Sequence, residues 1–255
     1  MSVHYHIVIP TRMASQRLPG KPLLDVHGMT LIERVHARAR LARAQSVVIA
    51  TDDEEIAGTV RGFGATAVMT SAAHASGSDR IAEAIDLLGW SDDTLVVNLQ
   101  GDEPLMPPAC LDQAAELLAG DAEAAVASLY WPIDDPGELA DPNVVKVATA
   151  LDGAALYFSR SVIPHPRGCA DTGEALRSGQ RWKRHIGLYA YRAAALRAFT
   201  ARAPTPLECT EKLEQLRFLE SGRRIVMTRA AEFIPAGVDT PEDLERIRGL
   251  LKGGH

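Results

Sequence analysis

His6-Ile7-Val8-Ile9-Pro10-Thr11-Arg12-Met13-Ala14-Ser15-Gln16-Arg17-Leu18-Pro19-Gly20-Lys21-Pro22 is the stretch on which the fold turns. Its first residues form a short apolar run that stops abruptly at Pro10, the pattern of a buried strand, so the basic segment after it leaves a strand's carboxyl end. Open α/β sheets bind ligands in the crevice outside those ends, where backbone N–H groups point outward and helices begin. Arg12, Arg17 and Lys21 together carry enough charge to offset most of a triphosphate. Arginine's planar fork suits bidentate phosphate contacts, and Lys is a compact point charge able to follow a moving phosphoryl oxygen. Taken alone, the segment reads equally well as a solvated basic turn closed by Pro19-Gly20. It is not a Walker A loop, because Ser15 stands where that motif needs Gly and Pro22 where it needs Ser or Thr. Gly62-Phe63-Gly64-Ala65-Thr66-Ala67 fits the looser dinucleotide fingerprint, but it follows a helical stretch and enters a strand, so it reads as a helix stop and a turn.

Outward from this loop, strand-like and helical stretches alternate. Thr30 to Arg43 has helical periodicity, Val47 to Ala50 reads as a strand, Glu54 to Phe63 as a helix and Thr66 to Met69 as a strand. Ser78 to Leu88 and Pro108 to Leu118 continue as helices around a buried strand at Thr94 to Asn98, with another strand at Ala124 to Trp131. This predicts an α/β fold with a mostly parallel sheet, right-handed crossovers and helices on both faces. The alternation then breaks. Val144 to Thr149 and Ala154 to Ser159 flank Leu151-Asp152-Gly153, a hairpin signal that starts an inserted antiparallel lobe over about 132–192. Pro164 to Arg184 reads as a long loop, and His185 to Tyr191 as a strand returning to the sheet. Thr205-Pro206-Leu207-Glu208 and Thr240-Pro241-Glu242-Asp243 each place Thr at N-cap, Pro at the first helical position and an acid two residues on. With no linker or repeat, the chain reads as a single domain, 1–255.

With 46% hydrophobic residues the 255-residue chain can bury a large core. Its formal net charge of −6 repels nucleic acid and anionic membrane, so any anion must be held by a local cluster. Cys110, Cys169 and Cys209 are odd in number and have no metal-ligand spacing, which predicts free thiols in a reducing compartment. No run reaches membrane-spanning length and no signal peptide is evident, so the expectation is a cytoplasmic protein.

A cationic loop accounts for binding; moving a nucleotidyl group also calls for a metal, and hence for carboxylates facing the loop. Gln100-Gly101-Asp102-Glu103-Pro104 follows a buried strand, which puts Asp102 at the same sheet edge as Arg12 and Lys21. Asp239, just before a capped helix start, is the second candidate; Asp102 and Asp239 would give Mg²⁺ its usual one or two carboxylates. Each has a plain alternative, a turn for Gly-Asp-Glu-Pro and dipole complementation for Asp239.

Pro10 to Leu23, Gln100 to Pro104, Tyr157-Phe158-Ser159-Arg160, His185-Ile186-Gly187-Leu188-Tyr189, Leu213-Glu214-Gln215-Leu216-Arg217 and Gly237 to Leu244 occur in this order. Together they closely resemble the 3-deoxy-manno-octulosonate cytidylyltransferases (CMP-Kdo synthetases) over about Ile7 to Arg248. The resemblance implies the three-layer α/β/α nucleotide-diphospho-sugar transferase fold. It also implies a homodimer formed through the inserted lobe and transfer of CMP from CTP to Kdo with Mg²⁺, releasing pyrophosphate. It assigns Arg12, Arg17 and Lys21 to the triphosphate, with Arg12, Lys21 and Asp102 catalytic. Ala14, Ser15, Ser76, Gly77, Arg80 and Gln100 fall around the nucleoside, and Asp102 and Asp239 on the metal. Arg160, His185, Tyr189, Glu214 and Gln215 match positions that hold the sugar acid. Residue chemistry agrees in part: a sugar carboxylate needs a cation separate from the phosphate loop, and Arg160 is one. Strand alternation puts His185 and Tyr189 on one face, though His185 alone reads more simply as a backbone-satisfied histidine. A helix opening at Pro206 would project Glu211 and Gln215 together at i,i+4 with Glu214 beside them. Competing readings are cytidylyl transfer to another acidic sugar such as a sialic acid, transfer to a sugar 1-phosphate, and a non-catalytic nucleotide-binding module.

Overall fold

Alternation of apolar side chains along the strands decides which helices cover which face of the sheet. In the computed structural model, which describes residues 3–14 and 17–252, β1 (His6–Thr11) is buried on both sides. Ile7 and Ile9 point into a core formed with α1 (Leu31–Ala39), α2 (Glu54–Gly62) and α4 (Pro108–Gly120). Val8 points the other way, into a core formed with α3 (Gly77–Leu87), α7 (Ala193–Thr200) and α9 (Gln215–Glu220). The same split holds for β4 (Ser46–Thr51), where Val47 and Ile49 face the first core and Val48 and Ala50 the second. A sheet covered on both faces is the three-layer arrangement expected of strands that carry no polar face.

The sheet runs β11-β7-β10-β6-β1-β4-β5, with β5 (Thr66–Met69), β6 (Leu95–Asn98), β7 (Ala124–Ile133), β10 (Trp182–Arg192) and β11 (Arg224–Arg229). Pairing is parallel for β1 with β4 and β6, β4 with β5, and β11 with β7. β10 is antiparallel to both β6 and β7 and therefore sits reversed in the middle of a mostly parallel sheet. The predicted hairpin is present as β8 (Lys146–Thr149) and β9 (Ala155–Ser159), and β8 joins the sheet through β10. A small satellite cluster of Ile133, Leu139, Ala175 and Trp182 packs this region with α5 (Pro136–Ala140) and α6 (Thr172–Arg177).

Three expectations are corrected. The segment from Pro164 to Arg184 is not one long loop: Asp171 accepts from Glu174 N–H at 2.7 Å and caps α6, and β10 already starts at Trp182, whose indole donates to Pro164 O at 3.0 Å. The helix from Pro206 does not run through Gln215. It stops as α8 (Pro206–Glu211) because Lys212 takes a left-handed conformation, φ 55°, and α9 starts anew at Gln215. Glu211 and Gln215 are therefore not one turn apart on a shared helix face. The first helix ends at Ala39, short of the expected Arg43. A two-stranded ribbon of β2 (Asp25–Val26) and β3 (Met29–Thr30), turned by His27 and Gly28 at φ 53° and 78°, escaped the sequence reading because each strand is only two residues long.

α10 (Pro241–Lys252) closes the fold next to the basic loop. Thr240 Oγ1 accepts from Asp243 N–H at 3.2 Å while the Asp243 carboxylate accepts from Thr240 N–H at 3.1 Å, the reciprocal cap its sequence predicts. Leu244 and Ile247 then pack with Leu18, Val26, Leu31 and Val238, which brings Asp239 onto the loop that carries Lys21.

Candidate functional site

The carboxyl ends of β1 and β6 and the N-terminus of α3 converge on a cavity of about 510 Å³. Two glycines allow that convergence. A Cβ on Gly101 would lie 3.2 Å from Pro10 O, and one on Gly77 would lie 3.4 Å from Pro10 Cγ. Ser76 caps α3, accepting from Asp79 N–H at 3.2 Å while the Asp79 carboxylate accepts from Ser76 N–H at 3.1 Å, so the helix start beside Gly77 is held open to the cavity. Helix starts of this kind favour anions.

Arg12, Ala14, Arg17, Lys21, Ser76, Gly77, Arg80 and Gln100 all line this cavity, together with Asp102 and Asp239. Ser15 lies outside the described residues. Arg80 is nearly buried and donates to Thr70 Oγ1 at 2.5 Å and to Asp52 at 2.9 Å, so most of its charge is offset from behind. Pro22, His74 and Glu214 also border the cavity. Sequence reading missed His74, which is fixed by a 2.5 Å contact to Glu83; a histidine in a loop gives no periodic signal.

Lys21 is the hinge of the site. Its ammonium donates to Asp102 Oδ2 at 2.7 Å, to Asp239 Oδ1 at 3.2 Å and to Val238 O at 3.0 Å. Arg17 donates to the other Asp239 oxygen at 3.0 Å. Two carboxylates from chain segments 137 positions apart (239 − 102) thus share one cation. Gly237 permits the approach: Val238 N–H donates to Asp102 O at 2.8 Å, and a Cβ on Gly237 would lie 2.9 Å from that same oxygen. Gly237→Ala must push the segment carrying Asp239 away from Asp102. Displacements of this kind cost up to roughly 100-fold in rate, and steady-state kinetics on a variant of unchanged thermal midpoint measures the loss.

The donor set fits a hard divalent cation. Asp102 and Asp239 offer oxygen only, and among the described residues no group of three or more His, Cys, Asp or Glu side chains could hold a metal. An ion that keeps waters and takes substrate phosphates, as Mg²⁺ does, suits such a pair. Next to it, Glu103 is pushed up to about 8 by burial, with the Asp102 charge adding to the rise.

A second cavity of about 330 Å³ shares Gly77, Gln100 and Glu214 with the first. Tyr189, Glu214 and Gln215, which the resemblance assigns to the sugar acid, line it. Glu214 accepts from Ser78 Oγ at 3.0 Å, and burial pushes its carboxyl above the usual range. Arg160 and His185 border neither cavity. The Arg160 guanidinium is taken up by the backbone, donating to Glu211 O at 2.7 Å and Pro142 O at 3.0 Å, while its own N–H donates to the Glu211 carboxylate at 3.0 Å. His185 lies behind Tyr189, ring centroids 5.3 Å apart, and packs edge-on against Phe158 at 4.9 Å. Ser128 Oγ donates to Ile186 O, so toward His185 Nε2, 3.1 Å away, it acts as acceptor. Sequence reading missed Asn98, Tyr191 and Lys212 as parts of this wall, and Ser78, from the segment assigned to the nucleoside, lines it too; strand and helix interiors otherwise look like core.

A family model described as Cytidylyltransferase matches residues 6–225. A 3-deoxy-manno-octulosonate cytidylyltransferase of Thioalkalivibrio sulfidiphilus is 51% identical over 248 residues, 97% of this chain and 99% of that protein. The chain belongs to the 3-deoxy-manno-octulosonate cytidylyltransferase family. A family member from Pseudomonas fluorescens is 50% identical over 99% of this chain and all of its own length. Among solved structures, CMP:2-keto-3-deoxy-manno-octonic acid synthetase complexed with CTP superposes with TM-score 0.89 at 38% identity, covering 99% of both chains. A Leptospira borgpetersenii cytidylyltransferase, TM-score 0.62 at 17% identity, shares the fold.

For this cytidylyltransferase, burial pushes the His185 pKa down to about 3 from 6.5. Above pH 6.5 neither folded nor unfolded chain protonates there; below it the unfolded chain takes up a proton that the fold excludes. Stability is therefore lost as pH falls from 6.5 toward 3. Urea midpoints at pH 7 and pH 5 are expected to differ less in His185→Gln than in the parent protein.

Proposed function

We propose that this protein transfers CMP from CTP to 3-deoxy-D-manno-octulosonate (Kdo), giving CMP-Kdo and pyrophosphate for lipopolysaccharide synthesis. The observation that carries the reading is the pair of adjoining cavities: a cationic one at a helix start, fit for a triphosphate, and a polar one for an acceptor. They meet at Gly77, Gln100 and Glu214, where the reacting atoms would come together.

Arg12, Arg17 and Lys21 bind the triphosphate, and on its arrival the Lys21 ammonium exchanges Asp102 and Asp239 for phosphate oxygens. Ser76, Gly77 and Gln100 flank the nucleoside. Tyr189, Glu214 and Gln215 hold the acceptor so that its anomeric hydroxyl faces the α-phosphorus in line with the departing pyrophosphate. The oxygen–phosphorus bond to the sugar forms as the α–β bridge to pyrophosphate breaks, and the hydroxyl proton leaves to solvent. Fixed cations aimed at the developing charge stabilise that transition state without reorganisation. Asp102 and Asp239 would hold Mg²⁺, which when bound offsets phosphate charge and lowers the pKa of the acceptor hydroxyl.

The assembly proposed is a homodimer through the hairpin lobe, where Leu151 and Leu156 lie exposed. The compartment is the cytoplasm, in keeping with three free thiols; no helix among the described residues is long and apolar enough to cross a membrane. Pyrophosphate release across four nucleotides and several acidic sugars, with and without Mg²⁺, tests the whole reading. Turnover is expected for CTP with Kdo and Mg²⁺; preference for a sialic acid, or nucleotide binding without turnover, would overturn it.

A further inference from the structure

Asn98 ends β6 on the floor of the acceptor cavity and is only 3% exposed. Its backbone is fixed on both sides, by pairing with Val8 of β1 and Tyr189 of β10. Its side chain lines this cavity together with Tyr191 and Ser78. Asn98 Oδ1 has no hydrogen-bond partner among the described residues, and no other buried unpartnered side-chain atom there belongs to a residue lining this cavity. A buried carbonyl oxygen with no donor is costly in a folded protein and calls for one from outside the chain.

The neighbouring chemistry narrows what that donor is. Glu214 lines the same cavity, with its carboxyl already accepting from Ser78. An unpaired carbonyl oxygen and a carboxyl repel an anionic group, so this end of the cavity does not receive the acceptor's carboxylate. It suits the polyhydroxyl part of the molecule, whose O–H groups donate. Resting on the reading of this cavity as the acceptor site, we propose that Asn98 determines acceptor specificity, its Oδ1 accepting a hydrogen bond from one hydroxyl of the acidic sugar. Sites built around a buried polar group reject ligands lacking the complementary hydroxyl far more sharply than apolar pockets do.

The test is pyrophosphate release with CTP and Mg²⁺ for the parent protein, Asn98→Leu and Asn98→Ser, each with Kdo and with its monodeoxy analogues. Asn98→Leu keeps nearly the same volume, and Asn98→Ser covers the case in which leucine misfolds. KM for Kdo is expected to rise about 10- to 100-fold in Asn98→Leu, with KM for CTP and the thermal midpoint unchanged. For one deoxy analogue, the parent protein should lose as much as the substitution does, and the substitution should then add nothing further. Unchanged KM for Kdo in both variants, or an equal added loss for every analogue, overturns the assignment. Absence of turnover with Kdo in the parent protein would instead remove the functional reading beneath it.

Discussion

Asp102→Asn is expected to lower kcat/KM for pyrophosphate release by at least roughly 100- to 1,000-fold, the scale of losing a contact made to developing charge. The substitution is nearly isosteric and leaves intact the 2.8 Å bond from Val238 N–H to the Asp102 carbonyl, so the approach of the Asp239 segment survives. What it removes is one of two charges that hold the Lys21 ammonium, at 2.7 Å. In the protein alone, like-charge repulsion between Asp102 and Asp239 is relieved by that ammonium, which must leave when phosphate arrives. Loss of Asp102 therefore frees Lys21 for phosphate while removing one of the two carboxylates proposed to hold the metal. CTP affinity measured without metal is expected to hold or improve as turnover collapses. A correctly folded Asp102→Asn protein with near-parental turnover would exclude the proposed metal role. Lys21→Met should lose turnover and CTP affinity together, which separates the two residues' contributions.

Arg217→Ala is expected to destabilise the fold by about 3–5 kcal/mol, the usual consequence of leaving a buried charge without its partner. Arg217 and Glu208 form a two-pronged pair at 2.7 and 2.5 Å, both almost out of solvent, and the guanidinium lies 4.0 Å over the Phe199 ring while donating to Phe199 O and Arg202 O. Among the described residues, Arg80 with Asp52 is the nearest comparable ion pair in burial. Arg61 and Glu54, 3.6 Å apart on the solvent face of α2, belong to the class worth less than about 1 kcal/mol. For a chain of this size the loss corresponds to a midpoint lowered by roughly 6–20 °C, and removing both charges as Arg217→Met with Glu208→Leu should recover much of it. Burial alone would raise Glu208, but Arg217 and the Thr205 N–H outweigh it and hold the carboxyl below its usual value. That part of the stability is present above the unfolded pKa and is lost as pH falls through the folded one. A drop of only a degree or two in Arg217→Ala would show that the pair is dispensable. Because the pair ties α8 to α9 across the Lys212 turn, its loss should also raise KM for the acceptor through Glu214 and Gln215.

The sequence by itself determined the layer architecture, because two-sided apolar strands such as Ile7 to Ile9 and Val47 to Ala50 leave no choice but helices on both faces. It also placed Lys21 and Asp102 on one sheet edge, since a strand's end is legible wherever an apolar run meets Pro or Gly. The reversed strand β10 was legible as a returning strand, though neither its place between β6 and β7 nor its start at Trp182 was. Local signals misled where a single backbone angle mattered: the apolar stripe from Leu213 to Leu216 continues a helix in pattern, and only the left-handed turn at Lys212 breaks it. Arg160 and His185 carry the right chemistry for a sugar acid, but hydrogen-bond partners far along the chain hold both, and neither borders the two cavities. Tertiary structure alone decided that Lys21 sits between Asp102 and Asp239 and that Asn98 has an oxygen to spare. The reason is physical: periodicity reports which way a side chain faces, whereas distances between charges and the count of satisfied donors arise only when segments far apart in sequence pack together.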